Sequence, residues 1–149
     1  MQSIQRVRKT DLARSTRQVI NLVLRGQTAV IESHGQPEVA IVDILDYRIT
    51  RAVMRYYGEQ PKFDVEKGLS DGQVASISDP QDRFNLVLAH YLAGAISLGR
   101  TAELLEIPWL DLRTRFQRLD VALRTAPADV QEARSDVEVA EKWEKSLEL

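Results

Sequence analysis

Ala29-Val30-Ile31-Glu32-Ser33-His34-Gly35-Gln36-Pro37-Glu38-Val39-Ala40-Ile41-Val42 is the stretch on which the fold turns. Thr28–Glu32 and Glu38–Val42 are short runs rich in β-branched residues. Ser33-His34-Gly35-Gln36 between them is turn chemistry, with Gly35 available for positive φ, so the two runs are expected to pair as a hairpin. Before them, Ser3–Arg8 alternates apolar and polar residues, which predicts a strand with Ile4 on the side of Arg6 and Arg8 and Val7 on the other. Leu12, Thr16, Val19, Ile20 and Val23 then recur at helical spacing. Thr10 is the expected N-cap, Asp11 lies in the first turn and Gly26 is the expected stop, which places a helix over Asp11–Arg25. After the hairpin, Asp43 can cap a second helix over Ile44–Tyr57, with Leu45, Ile49, Val53 and Met54 among its apolar positions. The order is β-α-β-β-α within residues 1–57, and a unit that small buries its core poorly alone, so dimerisation is expected.

Beyond it the composition changes. Gly58, Pro61, Gly68, Gly72 and Pro80 punctuate residues 58–80, which read as a linker with at most one short turn of structure. From Gln81 the helical period returns. Phe84, Leu88, Tyr91 and Leu92 share a face of a helix ending at Gly94, Ser97 opens a second helix through Leu104 and Leu105, and Pro108 breaks it before a third, Leu110–Leu119. Residues 81–125 are thus an all-α module, and 126–149 an acidic C-terminal helix or tail. The fold class is α+β.

Bulk composition narrows the function classes. With 44% hydrophobic and 28% charged residues the chain has the balance of a globular protein. No apolar run reaches the roughly 18–20 residues of a membrane span, and Met1–Thr10 lacks the apolar core of a secretory signal. No cysteine is present, which excludes disulfides and thiolate metal sites. A cytoplasmic address without membrane partners is expected. The net charge of −2 is unevenly spread: residues 1–60 hold nine Lys or Arg against six Asp or Glu, and residues 126–149 hold three against seven. A basic front and an acidic rear suit different partners.

A catalytic set does not assemble. His34 and His90 fall in different modules without metal-ligand spacing, and no phosphate-binding Gly-Lys loop or nucleophile elbow occurs. His90 borders an apolar helical face, where a structural histidine is the usual outcome. No enzymatic role, metal or cofactor is expected.

Lys9–Tyr47 resembles the Phd/YefM antitoxin family. The likeness is carried by the polar-capped helix that closes at Leu24-Arg25-Gly26, by the hairpin with its His34-Gly35-Gln36-Pro37 turn, and by Asp46-Tyr47 at the start of the second helix. The resemblance implies a β-α-β-β-α dimer that binds operator DNA, with a C-terminal segment that wraps a toxin protein. Arg8, Lys9, Arg14 and Arg17 cluster along the first helix and the strand before it, and Arg14 and Arg17, three apart, share a face. These four, with His34 in the turn, are the expected DNA contacts. Family members often carry an arginine before the His-Gly pair. Ser33 stands there, so operator recognition is expected to differ in detail.

Leu86–Val121 reads as a helix-turn-helix. Ala102 is small enough for two helices to cross closely, and Trp109–Leu119 would be the recognition helix, carrying Arg113, Arg115, Gln117 and Arg118. The turn position often held by glycine is Glu106. Tyr91–Leu104, with its Ile96-Ser97-Leu98-Gly99 and Ala102-Glu103-Leu104, is also similar to a family of short prokaryotic candidate antitoxins commonly encoded beside PIN-domain ribonucleases. Reading DNA, binding toxin and extending the dimer are all open to this module. Arg113, Arg115 and Arg118 fit either a second DNA contact or a salt-bridged helix surface. In the acidic tail, apolar Val137, Trp143 and Leu147 among carboxylates suit a toxin groove on a basic ribonuclease. A terminal helix packed on its own domain is the plain alternative.

Together these readings describe an antitoxin that represses its own operon and neutralises a cognate toxin, a PIN-type ribonuclease favoured. The alternative is a stand-alone dimeric transcription regulator whose second module serves oligomerisation or an effector.

Overall fold

His34 and Gly35 form the two-residue connection of the hairpin, with φ of 51° and 75°. Two consecutive positive φ values are the signature of a type I′ turn, whose twist matches that of the strands it joins. A computed structural model of the chain describes residues 4–123 and 142. Within them the fold is mixed α and β, with one three-stranded sheet and six α-helices. The chain divides into two units, Met1–Tyr47 and Arg48–Leu149.

In the first unit, β1 (Ile4–Arg8) runs directly into α1 (Lys9–Leu24), followed by β2 (Thr28–Ser33), β3 (Gln36–Ile41) and the start of α2 (Ile44–Glu59). β2 is central, parallel to β1 and antiparallel to β3. The parallel pair needs a crossover, and α1 supplies it. Val19 and Val23 of α1 pack with Ala29 of β2, and Val7, Leu12 and Ile41 close around them. The helix starts earlier than its capping residues suggest. Arg8 is the N-cap, in extended conformation and without a side-chain cap bond, and Thr10 lies inside the first turn. No residue separates strand from helix, so the backbone turn at Arg8 sets the start. At the other end Gly26, at φ 96°, closes α1 as its position implied. Asp43 caps α2 as expected, its carboxylate accepting from the Asp46 amide at 2.9 Å.

Ile31 pairs with Val39 but Glu32 pairs with Pro37, which leaves Glu38 as the extra residue of a β-bulge. β3 is an edge strand, exposed along nearly all its length. Among the described residues, seven of the ten exposed large hydrophobics lie in this small unit: Ile4, Ile20, Leu24, Val39, Val42, Ile44 and Tyr47. The unit therefore leaves much of its apolar surface uncovered.

The second unit contains the rest of α2, α3 (Asp71–Ala75), α4 (Pro80–Leu92), α5 (Leu98–Leu105) and α6 (Trp109–Arg118). Residues 58–80 are more structured than their glycines and prolines suggested. Asp64 caps a 3-10 turn at Val65–Lys67, and a reciprocal capping box between Ser70 and Gln73 starts α3. Leu69 and Val74 are buried, and the Arg100 guanidinium reaches the Leu69 carbonyl at 3.1 Å and the Asp71 carboxylate at 3.0 Å. Pro80 sits at the first position of α4, where its missing N–H costs nothing, behind the Asp79 cap. Val87, Leu88, Leu112 and Phe116 are fully buried, and Phe116 packs against Tyr91 with ring centroids 5.2 Å apart.

α5 ends with the Ile107 amide bonded to the Ala102 carbonyl and the Glu106 amide to that of Glu103, a Schellman closure with Glu106 in the left-handed region at φ 55°. An L-residue is disfavoured there by roughly 1–2 kcal/mol, which glycine avoids at some entropic cost. Glu106→Gly is therefore expected to leave stability unchanged or raise it by up to about 1 kcal/mol, whereas Glu106→Val lowers it. Urea unfolding of both variants checks the sign.

Candidate nucleic-acid interface

Five residues of the first unit were expected to meet DNA, and the sheet register places three of them at one end. Arg8 pairs with Glu32 across β1 and β2, and Ser33 with Gln36 closes the hairpin one residue further on. The end of β1, the start of α1 and the His34-Gly35 turn are thus neighbours at the same edge of the sheet. From there α1 rises about 1.5 Å per residue, which carries Arg14 and Arg17 along the helix away from that edge.

The cations differ in how free they are. The Arg8 Nε donates to the Asp11 carboxylate at 2.9 Å, and the Lys9 ammonium lies 3.4 Å from the carboxylate of the bulged Glu38. Arg6 pairs with Glu32 at 3.3 Å. These cations are held by acids, and what they offer a phosphate is reduced accordingly. Arg14 and Arg17 are both exposed and have no carboxylate partner among the described residues. The inner face of α1 is set by Leu12, Val19 and Val23, so both arginines point away from the core. His34 is exposed at the turn, in the left-handed conformation, which makes its backbone role evident whatever its ring contacts. Glu38 was not anticipated as a modulator of Lys9. Only the bulge, which the run of β-formers hides, turns it toward the helix.

In the second unit, Ala102, 1% exposed, lies where α5 packs against its neighbours, and Ile107 and Leu112 are buried on either side of Pro108. The three arginines expected together on α6 separate in the structure. The Arg115 side chain is 12% exposed and its Nε donates to the Asp111 carboxylate at 3.2 Å, a structural ion pair one turn apart. Arg118 is half-buried in the last turn. Arg113 is exposed, with its guanidinium 5.6 Å from the centre of the Trp109 ring. Leu110, Arg113, Thr114 and Gln117 form the solvent face of α6. Their spacing of three, four and seven is legible in the sequence, where Thr114 between two arginines carries no charge to mark it.

His90 is buried, its Nδ1 2.9 Å from the Leu86 carbonyl and its ring stacked on Phe63 at 4.2 Å, which makes it part of the core. Among the described residues no group of three or more His, Asp or Glu is placed to hold a metal ion, and no helix is long and apolar enough to cross a membrane. Val137, Trp143 and Leu147 lie outside the described residues. No family model, curated protein or solved structure matches the chain.

The ion pairs at the sheet edge generate a prediction. Asp11→Asn and Glu38→Gln each release one cation without adding charge to the protein surface elsewhere. Each is expected to strengthen binding to a duplex and to steepen its salt dependence by about one unit of slope, as counterion release requires. Anisotropy titrations over a range of salt concentrations measure this. An unchanged slope would remove Arg8 and Lys9 from the interface.

Proposed function

We propose that this chain is the antitoxin of a toxin–antitoxin pair. As a dimer it binds operator DNA through its first unit and represses its own operon. Its C-terminal segment neutralises a cognate toxin by direct binding, with a PIN-type ribonuclease as the favoured toxin. The observation that carries the DNA half of this reading is the pair Arg14 and Arg17, exposed on the outer face of α1 and without a carboxylate partner among the described residues. A helix face of this kind can lay cations along a phosphate backbone. The uncovered apolar surface of the same unit supports a second copy, and two copies related by a two-fold axis suit a palindromic operator.

The toxin half rests on the resemblance of the two halves of the sequence to antitoxins and on the acidic residues 126–149 with apolar residues among them. A carboxylate-rich segment is the complement of a ribonuclease surface built to hold RNA.

Two measurements test the two halves. Expression of the adjacent reading frame alone should arrest growth, and co-expression with this chain should restore it and yield a stable complex. Absence of both toxicity and complex, with tight binding of the chain to its own promoter, would favour a stand-alone regulator. Arg14→Ala and Arg17→Ala should each weaken promoter binding and lower the salt slope by about one, leaving the fold intact. Retention of full affinity by the double variant would dismiss α1 as the DNA contact.

A further inference from the structure

The solvent face of α6 belongs to an arrangement with its own chemical logic. α5 and α6 are joined by Glu106-Ile107-Pro108, with Glu106 in the left-handed conformation and the small Ala102 of α5 buried. Thr101, Ala102 and Leu105 of α5 face inward, as do Ile107, Leu112 and Phe116 around and within α6. What remains outward on α6 is Leu110, Arg113, Thr114 and Gln117. The burial pattern leaves one face of the second helix open, as the recognition helix of a helix-turn-helix requires.

The residue types on that face are those that read base edges. An arginine matches the O6 and N7 of guanine, and a glutamine matches the N6 and N7 of adenine. Thr114 donates its hydroxyl to the Leu110 carbonyl at 2.9 Å, which leaves its methyl and its lone pairs outward for a thymine methyl or a base amine. The one acid of α6, Asp111, is occupied by Arg115, so it does not set an unpaired charge against phosphates. Arg113 is held over the Trp109 ring, a weak contact that limits its rotamers before any partner arrives.

We infer that the α6 face carrying Arg113, Thr114 and Gln117 reads base pairs in the major groove of duplex DNA, a sequence-specific contact in addition to the phosphate contact proposed for α1. This inference rests on the DNA-binding part of the proposed function and extends it, since a protein that reads DNA with two separate modules recognises a composite operator. Arg115 and Arg118, for which the sequence left open a second DNA contact or a salt-bridged helix surface, are not part of this reading face.

The test is selection of the full chain against a randomised duplex library, followed by titration of the selected duplex and of single-base variants. Arg113→Ala and Gln117→Ala should each weaken binding to the selected duplex by about 5- to 100-fold and relax the preference at one base position, with scrambled duplex unaffected. Gln117→Glu, nearly isosteric, should move the preference at its position from adenine toward cytosine, which a general loss of folding cannot do. Uniform weakening on all sequences, or no change, overturns the inference. If the α6 variants are silent while Arg14→Ala weakens binding and lowers its salt slope, the α6 contact falls and the proposed function stands. Failure of the unaltered chain to bind any duplex overturns both.

Discussion

A single helix about 10 Å across covers two strands spaced about 4.8 Å apart, and most of a third lies beyond its reach. That constraint shapes the first unit. α1, sixteen residues long, packs mainly on β1 and β2, and the edge strand β3 remains open except at Ile41, which joins the cluster under the helix. The apolar stripe of α1 is also wider than the sheet beneath it, because Ile20 and Leu24 stay exposed beside the buried Val19 and Val23. Full burial of an aliphatic side chain is worth about 1.5–3 kcal/mol. Covering Ile20, Leu24 and Val39 thus yields a gain of the same order as the cost of bringing two chains together, about 4–15 kcal/mol. On the proposed reading the missing cover is a second copy, and dimerisation and DNA binding become one property. The helix that lacks cover on its flank is also the helix whose outer face carries Arg14 and Arg17.

The second unit solves the same problem internally. α4, α5 and α6 bury Leu88, Leu112 and Phe116 completely. The segment preceding α4 adds Leu69 and Val74 to that core, and Arg100 ties the segment down through a backbone carbonyl and a carboxylate. On the proposed reading, the closed core of this unit leaves the exposed face of α6 for recognition. The first unit displays cations suited to phosphates, while α6 displays side chains suited to base edges.

How much of this was legible in the sequence depended on the physics of each signal. The hairpin, with turn residues that demand positive φ, and both long helices of the N-terminal half were readable, since period and turn chemistry are local. Gly26 and Gly94 marked helix ends correctly, both at positive φ. Glu106 and Asp120 adopt the same left-handed conformation with no glycine to announce it, because buried Ile107 and Val121 after them hold the chain in place. Residues 58–80 looked like a linker since Phe63, Leu69, Val74 and Ile77 follow neither a helical nor a strand period. Their burial is decided by partners distant in sequence. The charged residues were hardest to read. Arg8, Lys9 and Arg115 each find a carboxylate through a turn, a bulge or a helical step, and Lys9 meets Glu38 only through the fold.

The account stands or falls on whether the first unit is covered by a second copy. Sedimentation equilibrium of the full chain, compared with a variant carrying Ile20→Gln and Leu24→Gln, addresses this directly. Twice the chain mass for the unaltered protein, and dissociation to single chains for a variant that keeps its helical content, is the predicted result. A monomer at micromolar concentration, or a dimer indifferent to the two substitutions, would contradict it.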